Sequence, residues 1–245
     1  VKFDKSLCER ITLFCKKMNQ LTELYTKHHG HLIATREQFG DLHLEGPLLM
    51  DLDRYWSQPI KLFIIGQETY GWNCDYDDIS SLQKTYRDFN MGERYYSTPF
   101  WNITRKLERL IGIEAYSCAW SNLNRYDYDG GAPTPEIATK LTVLDYLVRE
   151  EVQIVKPDVC MFYTNRKYDD RLRAQYEGLI FEEVPGLPFN HFCKLVHVDL
   201  PTHTYRTPHP KTIRVQSWED AFISVMEREL PKNKEAEQAA SHNGA

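Results

Sequence analysis

The sequence predicts an α/β fold, a three-layer α/β/α arrangement around a central four-stranded parallel sheet. Three observations predict it. Short apolar runs recur along the chain (KLFII, AYSCAW, DVCMFYT, KLVHVDL), and segments with helical periodicity separate them. Polar, turn-forming residues follow the runs directly, as they do where an α/β sheet opens its ligand crevice. At 245 residues one domain can bury a substantial core without disulfides or metal. A single domain is expected over 1–230, its first 58 or so residues a helical segment, with a polar tail at 231–245 expected to be disordered.

The elements follow in order. Phe3, Leu7, Ile11, Phe14, Met18, Leu21 and Tyr25 recur at steps of three and four, predicting an amphipathic helix over 3–28 that ends at Gly30. LLMDLDRYW suggests a short helix before Pro59. KLFII at 61–65 is the first strand, with Gly66 at the turn beyond it. Residues 74–98 lack periodicity and read as a long loop with one helical turn. Pro99 opens a helix over 99–111, AYSCAW at 115–120 is the second strand, and a helix is expected over about 135–155. DVCMFYT at 158–164 is a strand buried on both faces, TNRKYDDRLR at 164–173 a helix with exposed ion pairs, KLVHVDL at 194–200 the fourth strand, and SWEDAFISVMERE at 217–229 the last helix.

Composition narrows the function. A net charge of -5 and a pI near 6.0 argue against bulk electrostatic coating of nucleic acid, while leaving room for a local basic groove. The 15 tyrosines and 5 tryptophans serve cores first and base stacking second. Six scattered cysteines form no metal or disulfide spacing and read as free thiols. No run reaches the roughly 18 apolar residues of a membrane span and the first residues lack a signal-peptide core, so a cytoplasmic protein with no membrane partner is expected.

Two motifs concentrate the chemistry: IIGQETYGW at 64–72 and YRTPHPKTIR at 205–214. Each sets polar groups beside an apolar strand, and Glu68 and His209 can then face one cleft as an acid, base or electrostatic pair. Taken alone, Glu68 reads first as a capping carboxylate, and His209 can be read as a loop histidine on a rigid turn. A metal site from His197, His203 and His209 has poor spacing. DYDD at 75–78 with Asp88 reads as a solvated loop before a cation site.

These motifs resemble those of the uracil-DNA glycosylase superfamily. GQETYG is similar to its GQDPYH after the first strand, TPHPKT to its HPSPLS after the last, CAWSN to its strand ending in asparagine, and PFWNITRKL to its PPSLKNIYKEL helix. The resemblance spans about 60–225. It implies a glycosylase that flips uracil or another altered base from DNA and hydrolyses its N-glycosidic bond, as a monomer without metal or organic cofactor. It further implies that His209 stabilises the departing base and Glu68 the water and cationic sugar, making these two the catalytic residues. Gln67, Tyr70, Phe89 and Asn122 would bind the base, with Asn124 a competitor of Asn122. Arg206, Lys211 and Arg214 would bind DNA phosphates, and Ile213 is the one candidate for an apolar wedge into the duplex. Thr69 stands at the family's proline, Gly71 at its second histidine, and Glu68 is one methylene longer than the family aspartate. The rival reading is a member of the same fold that binds a nucleobase or nucleic acid without hydrolysis; a nucleotide-handling α/β hydrolase of another family is a third.

Overall fold

A computed structural model describes residues 5–72 and 78–233, with side chains of the first helix described from Asn19 onward. The expected tail from 234 on and most of the DYDD stretch lie outside the described residues. Helix α1 (Lys5–Glu37) runs past Gly30, because buried Leu32 and Thr35 continue the face begun by Leu21, Leu24 and Tyr25. Strand β1 (Leu44–Glu45) and a 3-10 turn at Arg54–Ser57 precede β2 (Leu62–Gly66), which is buried throughout. Helix α2 (Ile79–Phe89) stands where a loop was expected. Asp78 caps it by accepting from the backbone N–H groups of Ser80 and Ser81, both at 3.1 Å. Its buried stripe, Leu82, Gln83 and Tyr86, includes a glutamine and so hides the periodicity.

Helix α3 (Pro99–Ile111) matches its expected bounds, with Pro99 in the first turn and Gly112 at φ 73° closing it. Strand β3 (Ala119–Asn122) and β4 (Asp127–Tyr128) follow. The single helix expected over 135–155 is two, α4 (Pro135–Leu141) and α5 (Tyr146–Val155), joined by a 3-10 turn. After β5 (Val159–Phe162) come α6 (Asp169–Gln175), β6 (Ile180–Glu182), β7 (Cys193–Val196), β8 (His203–Arg206), α7 (Pro210–Val215) and α8 (Glu219–Glu229).

One six-stranded sheet has the order β3-β2-β5-β8-β7-β6, and β1 with β4 forms a separate antiparallel pair. The strands β3, β2, β5 and β8 are mutually parallel; β7 and β6 are antiparallel at the other edge. Two expectations change. The sheet has six strands rather than four, and the run at 194–200 is the antiparallel β7, the fourth parallel strand being β8. HTYR escapes a hydropathy reading because its polar members are buried with partners: Thr204 bonds the Pro201 carbonyl and Arg206 pairs with Asp169. Helices cover both sides, α1 packing on α5, and α3 on α7 and α8. No helix among the described residues is long and apolar enough to cross a membrane.

The chain crosses at β2. Its neighbours β3 and β5 lie on opposite sides, so the connections out of β2 and β3 diverge and leave a crevice at the carboxyl ends of the parallel strands. Below that edge lies a fully buried ion pair. Arg125 donates to Glu151 through two nitrogens, at 2.8 and 2.7 Å, and both side chains are 0% exposed. Ser121 and Tyr25 donate to the same carboxylate at 2.8 and 2.7 Å, and Arg125 also reaches the Leu48 carbonyl. One carboxylate thus ties β3, α1, α5 and the chain after β1 together.

Removing one member leaves an uncompensated buried charge. Glu151→Ala should therefore cost about 3–5 kcal/mol in urea or thermal unfolding, and a loss below about 1 kcal/mol would show the pair to be dispensable.

Candidate active site

The polar residues of the sequence motifs converge on the carboxyl edge of the parallel strands. Gly66 ends β2 opposite Asn122, which ends β3. The two approach so closely that a Cβ on Gly66 would stand 2.2 Å from Asn122 Oδ1 and 3.5 Å from Phe100 Cε2. A larger residue here would have to displace the Asn122 amide. Phe100, from the first turn of α3, has its ring centroid 5.7 Å from that of His209 and packs edge-on against Tyr163 at 5.3 Å. Gly66, Asn122, Phe100, Tyr163 and His209 therefore form one continuous wall.

Asn122 is 1% exposed, and neither its amide nitrogen nor its amide oxygen has a hydrogen-bond partner among the described residues. A buried amide left so costs about 1–3 kcal/mol for each unpaired group, a cost that native structures keep chiefly where a ligand or water completes the set. Asn124 is different. Its amide donates to Glu68 at 3.1 Å and its oxygen accepts from Arg171 at 2.7 Å, so it is already engaged. Of the two candidate asparagines, the structure leaves Asn122 free to read a ligand.

His209 caps α7 with its ring: Nδ1 accepts the Lys211 backbone N–H at 3.1 Å. A ring nitrogen that accepts carries no proton, so the neutral ring holds its proton on Nε2. Burial, aided by the nearby Lys211 and Lys167 ammonium groups, pushes the His209 pKa down to about 4. The residue is a neutral hydrogen-bond donor at physiological pH. The local sequence dictates this, since Pro210 lacks an N–H and the first amide free for capping is that of Lys211.

Glu68 follows two residues after Gly66. Its Oε2 accepts from Asn124 and from the Tyr168 hydroxyl at 3.3 Å, while Oε1 makes no hydrogen bond among the described residues. Burial raises its pKa above the usual carboxylate range, against the opposing effects of the Asn124 bond and the Lys167 charge. Beyond Glu68 the loop is clamped by buried Asp127, whose Oδ2 accepts from the Thr69 hydroxyl at 2.6 Å and from the N–H groups of Gly71 and Trp72 at 3.0 and 3.2 Å. Gln67 bridges the crevice floor, donating from Nε2 to the Tyr163 carbonyl at 3.2 Å.

Several expected roles change. Tyr70, expected to bind the base, is 91% exposed to solvent. Phe89 sits one ring removed, among Trp72, Trp101 and Trp120, and Phe100 holds the position beside His209. Arg206 is 2% exposed and pairs with Asp169 at 3.1 Å, so it is closed to phosphate. Arg214 is tied to Glu219 at 2.9 Å and to Asn102 at 2.7 Å. Ile213 is 0% exposed and cannot serve as a wedge. Lys211 remains exposed beside His209, and Lys167, which the sequence reading passed over, is exposed near both Glu68 and His209. The charges at 164–173 are not all surface pairs, since Arg171 binds buried Asp145. His197 bonds the Glu177 carbonyl, Asp88 pairs with Lys84, and no group of His, Cys, Asp or Glu among the described residues is arranged to hold a metal. Phe100 and Tyr168 left a faint signal, an aromatic directly after Pro99 and another just past the third strand.

The protein was compared with known families and proteins. No family model matches the chain, and no curated protein matches it.

The His209 geometry is open to direct measurement. Imidazole 15N spectra should show the Nε2-protonated neutral ring at pH 6, titrating near pH 4. Because the unfolded ring takes a proton near pH 6.5 that the folded ring refuses, stability should decline as pH falls from about 6.5 toward 4. Titration near 6.5 in the folded protein would refute the cap-bound, desolvated ring.

Proposed function

We propose that the protein is a DNA base-excision glycosylase of the uracil-DNA glycosylase kind, hydrolysing the N-glycosidic bond of uracil or another altered base flipped out of DNA. The observation that carries this reading is the buried, unpartnered amide of Asn122 at the end of β3. An amide offers one acceptor and a donor side by side, and its complement is the adjacent carbonyl and N–H of a lactam edge such as that of uracil. Phe100 supplies an aromatic ring beside it. The resemblance of the GQETYG, CAWSN, PFWNITRKL and TPHPKT segments to the family motifs supports the same reading, since the residues they contribute converge on one crevice.

The chemistry follows from charge. In the transition state the sugar becomes cationic at C1′ and the departing base anionic, so hydrolysis needs a donor at one place and negative charge at the other. His209 gives its Nε2–H to the base, and being neutral it does so without first losing a proton. Glu68 supplies the negative charge, and its free Oε1 accepts from the attacking water while Oε2 is held. Water adds to C1′ as the C1′–N bond breaks. The electron pair of that bond leaves on the base, and the water's proton passes to solvent or carboxylate. Lys167 and Lys211 stand at the rim as the cationic contacts for flanking phosphates. Two such lysines among the described residues imply a shallow salt dependence.

The test is a base-release assay on single-stranded and duplex DNA carrying uracil and a panel of damaged bases. Glu68→Gln and His209→Ala should each lower release by about 10²–10³-fold. The rate should fall on the acid side at a pH above the ordinary carboxylate range, as Glu68 takes up a proton, with no inflection near pH 6.5. No release from any substrate by the folded protein would end the hydrolytic reading and leave base binding without hydrolysis as the function of the crevice.

A further inference from the structure

Glu68 does not stand alone. The chain turns sharply at Asn165, which has φ 57° and accepts the Lys167 N–H at 2.9 Å, and this turn carries Tyr168 and then α6 across the crevice floor. From α6, Arg171 reaches Asn124 at 2.7 Å through one nitrogen, while Nε holds Asp145 at 2.8 Å and a second nitrogen binds the other oxygen of the same carboxylate. Asp145 is 2% exposed.

The donor count along this path leaves a single arrangement. A guanidinium only donates, so the atom of Asn124 that faces Arg171 must be its oxygen. The amide nitrogen is then turned to the other side, where its two protons meet Glu68 Oε2 at 3.1 Å and the Tyr168 hydroxyl oxygen at 3.2 Å. With its oxygen accepting from Asn124, Tyr168 spends its own proton on Oε2 at 3.3 Å. Both donors end on one carboxylate oxygen, and Oε1 is left open. Were the amide reversed, its oxygen would face the carboxylate and both would repel.

We propose that Arg171, clamped by Asp145, is a positioning residue that acts through Asn124 to fix the rotamer of Glu68 and to direct its unbonded oxygen into the crevice. Its catalytic consequence rests on the glycosylase reading above; its geometry does not. Arg171 touches no reacting atom. Its effect is to make one of two amide orientations compulsory, which converts a flexible glutamate, longer than aspartate by one rotatable bond, into a fixed group. Lys167 and Asp127 also act on Glu68 through space, so any test has to separate a bonded path from a direct field.

A double-mutant cycle read by carboxyl 13C titration of Glu68 makes that separation, with Glu68→Gln identifying the resonance. Asn124→Leu should raise the Glu68 pKa, because a donor to the carboxylate is lost. Arg171→Met should raise it in the native background and change nothing further in the Asn124→Leu background, since the path through the amide is already cut. An equal shift from Arg171→Met in both backgrounds would overturn the proposal in favour of a direct charge effect, and no shift in either would overturn it outright. If Arg171→Met does not fold, Asp145→Asn takes its place, keeping the arginine's charge and releasing only its clamp. In the base-release assay Arg171→Met should lower kcat about tenfold or more with KM unchanged. A wild-type protein that releases no base, yet shows the coupled titration, would leave the positioning path standing and remove the glycosylase reading.

Discussion

The bond between Arg125 and Glu151 constrains everything the site requires. Both charges are taken wholly out of water, at a desolvation cost of several kcal/mol per ion that only good geometry offsets. The geometry is good: two charge-assisted bonds between the partners and further donors from Ser121 and Tyr25 on the carboxylate. What this arrangement specifies is position. Arg125 lies three residues after Asn122, one after Asn124 and two before Asp127, and Ser121 precedes Asn122 directly. Pinning Ser121 and Arg125 to a single carboxylate on α5 fixes the short segment that presents the open amide, the Glu68 partner and the loop clamp.

That segment meets β2 at the point where the connections of the sheet diverge. A crevice there is a consequence of strand order, but its contents are a consequence of side chains. Gly66 lets the Asn122 amide approach the β2 backbone closely, and a larger residue would have to displace that amide. Among the described residues Asn122 leaves both its donor and its acceptor unpaired, whereas Asn124, Gln67 and Thr69 have partners and Asp127 and Tyr163 each leave one buried oxygen unpaired. What sets Asn122 apart is that its donor and its acceptor are open together, the combination that an amide edge of a ligand would complete.

The parallel strands buried on both faces were legible because nothing but apolar side chains fits them, and α3 because proline and glycine mark its two ends. Helix α2 and strand β8 were hidden for one shared reason. Each buries polar side chains that have partners, Gln83 in one and Thr204 and Arg206 in the other: Gln83 bonds the Met50 carbonyl and Thr22, Thr204 the Pro201 carbonyl three residues back, and Arg206 pairs with Asp169. Hydropathy patterns record burial only when burial is apolar. In the site, Glu68, His209 and Asn122 were readable from their place after strands. The fates of Arg206, Arg214 and Ile213 were not, because a cation beside a motif looks the same in sequence whether it faces solvent or a buried carboxylate.

The differences between these segments and the motifs they resemble acquire a physical sense from the surrounding bonds. A proline stiffens a turn by fixing φ; here Thr69 lacks that restraint, and Asp127 replaces it by holding the Thr69 hydroxyl and two successive amides on one oxygen. A glutamate in place of aspartate adds a rotatable bond whose freedom has to be removed if the carboxylate is to act at a fixed distance. The two donors on Oε2 remove it. Both residues leave the backbone or the side chain locally looser, and the stretch 121–127 that the buried ion pair holds in place answers with Asp127 on the loop and with Asn124, joined by Tyr168, on the carboxylate. Rigidity at this crevice therefore comes from long-range hydrogen bonds in place of local stiffness, and it rests on an arginine and a glutamate buried out of the crevice.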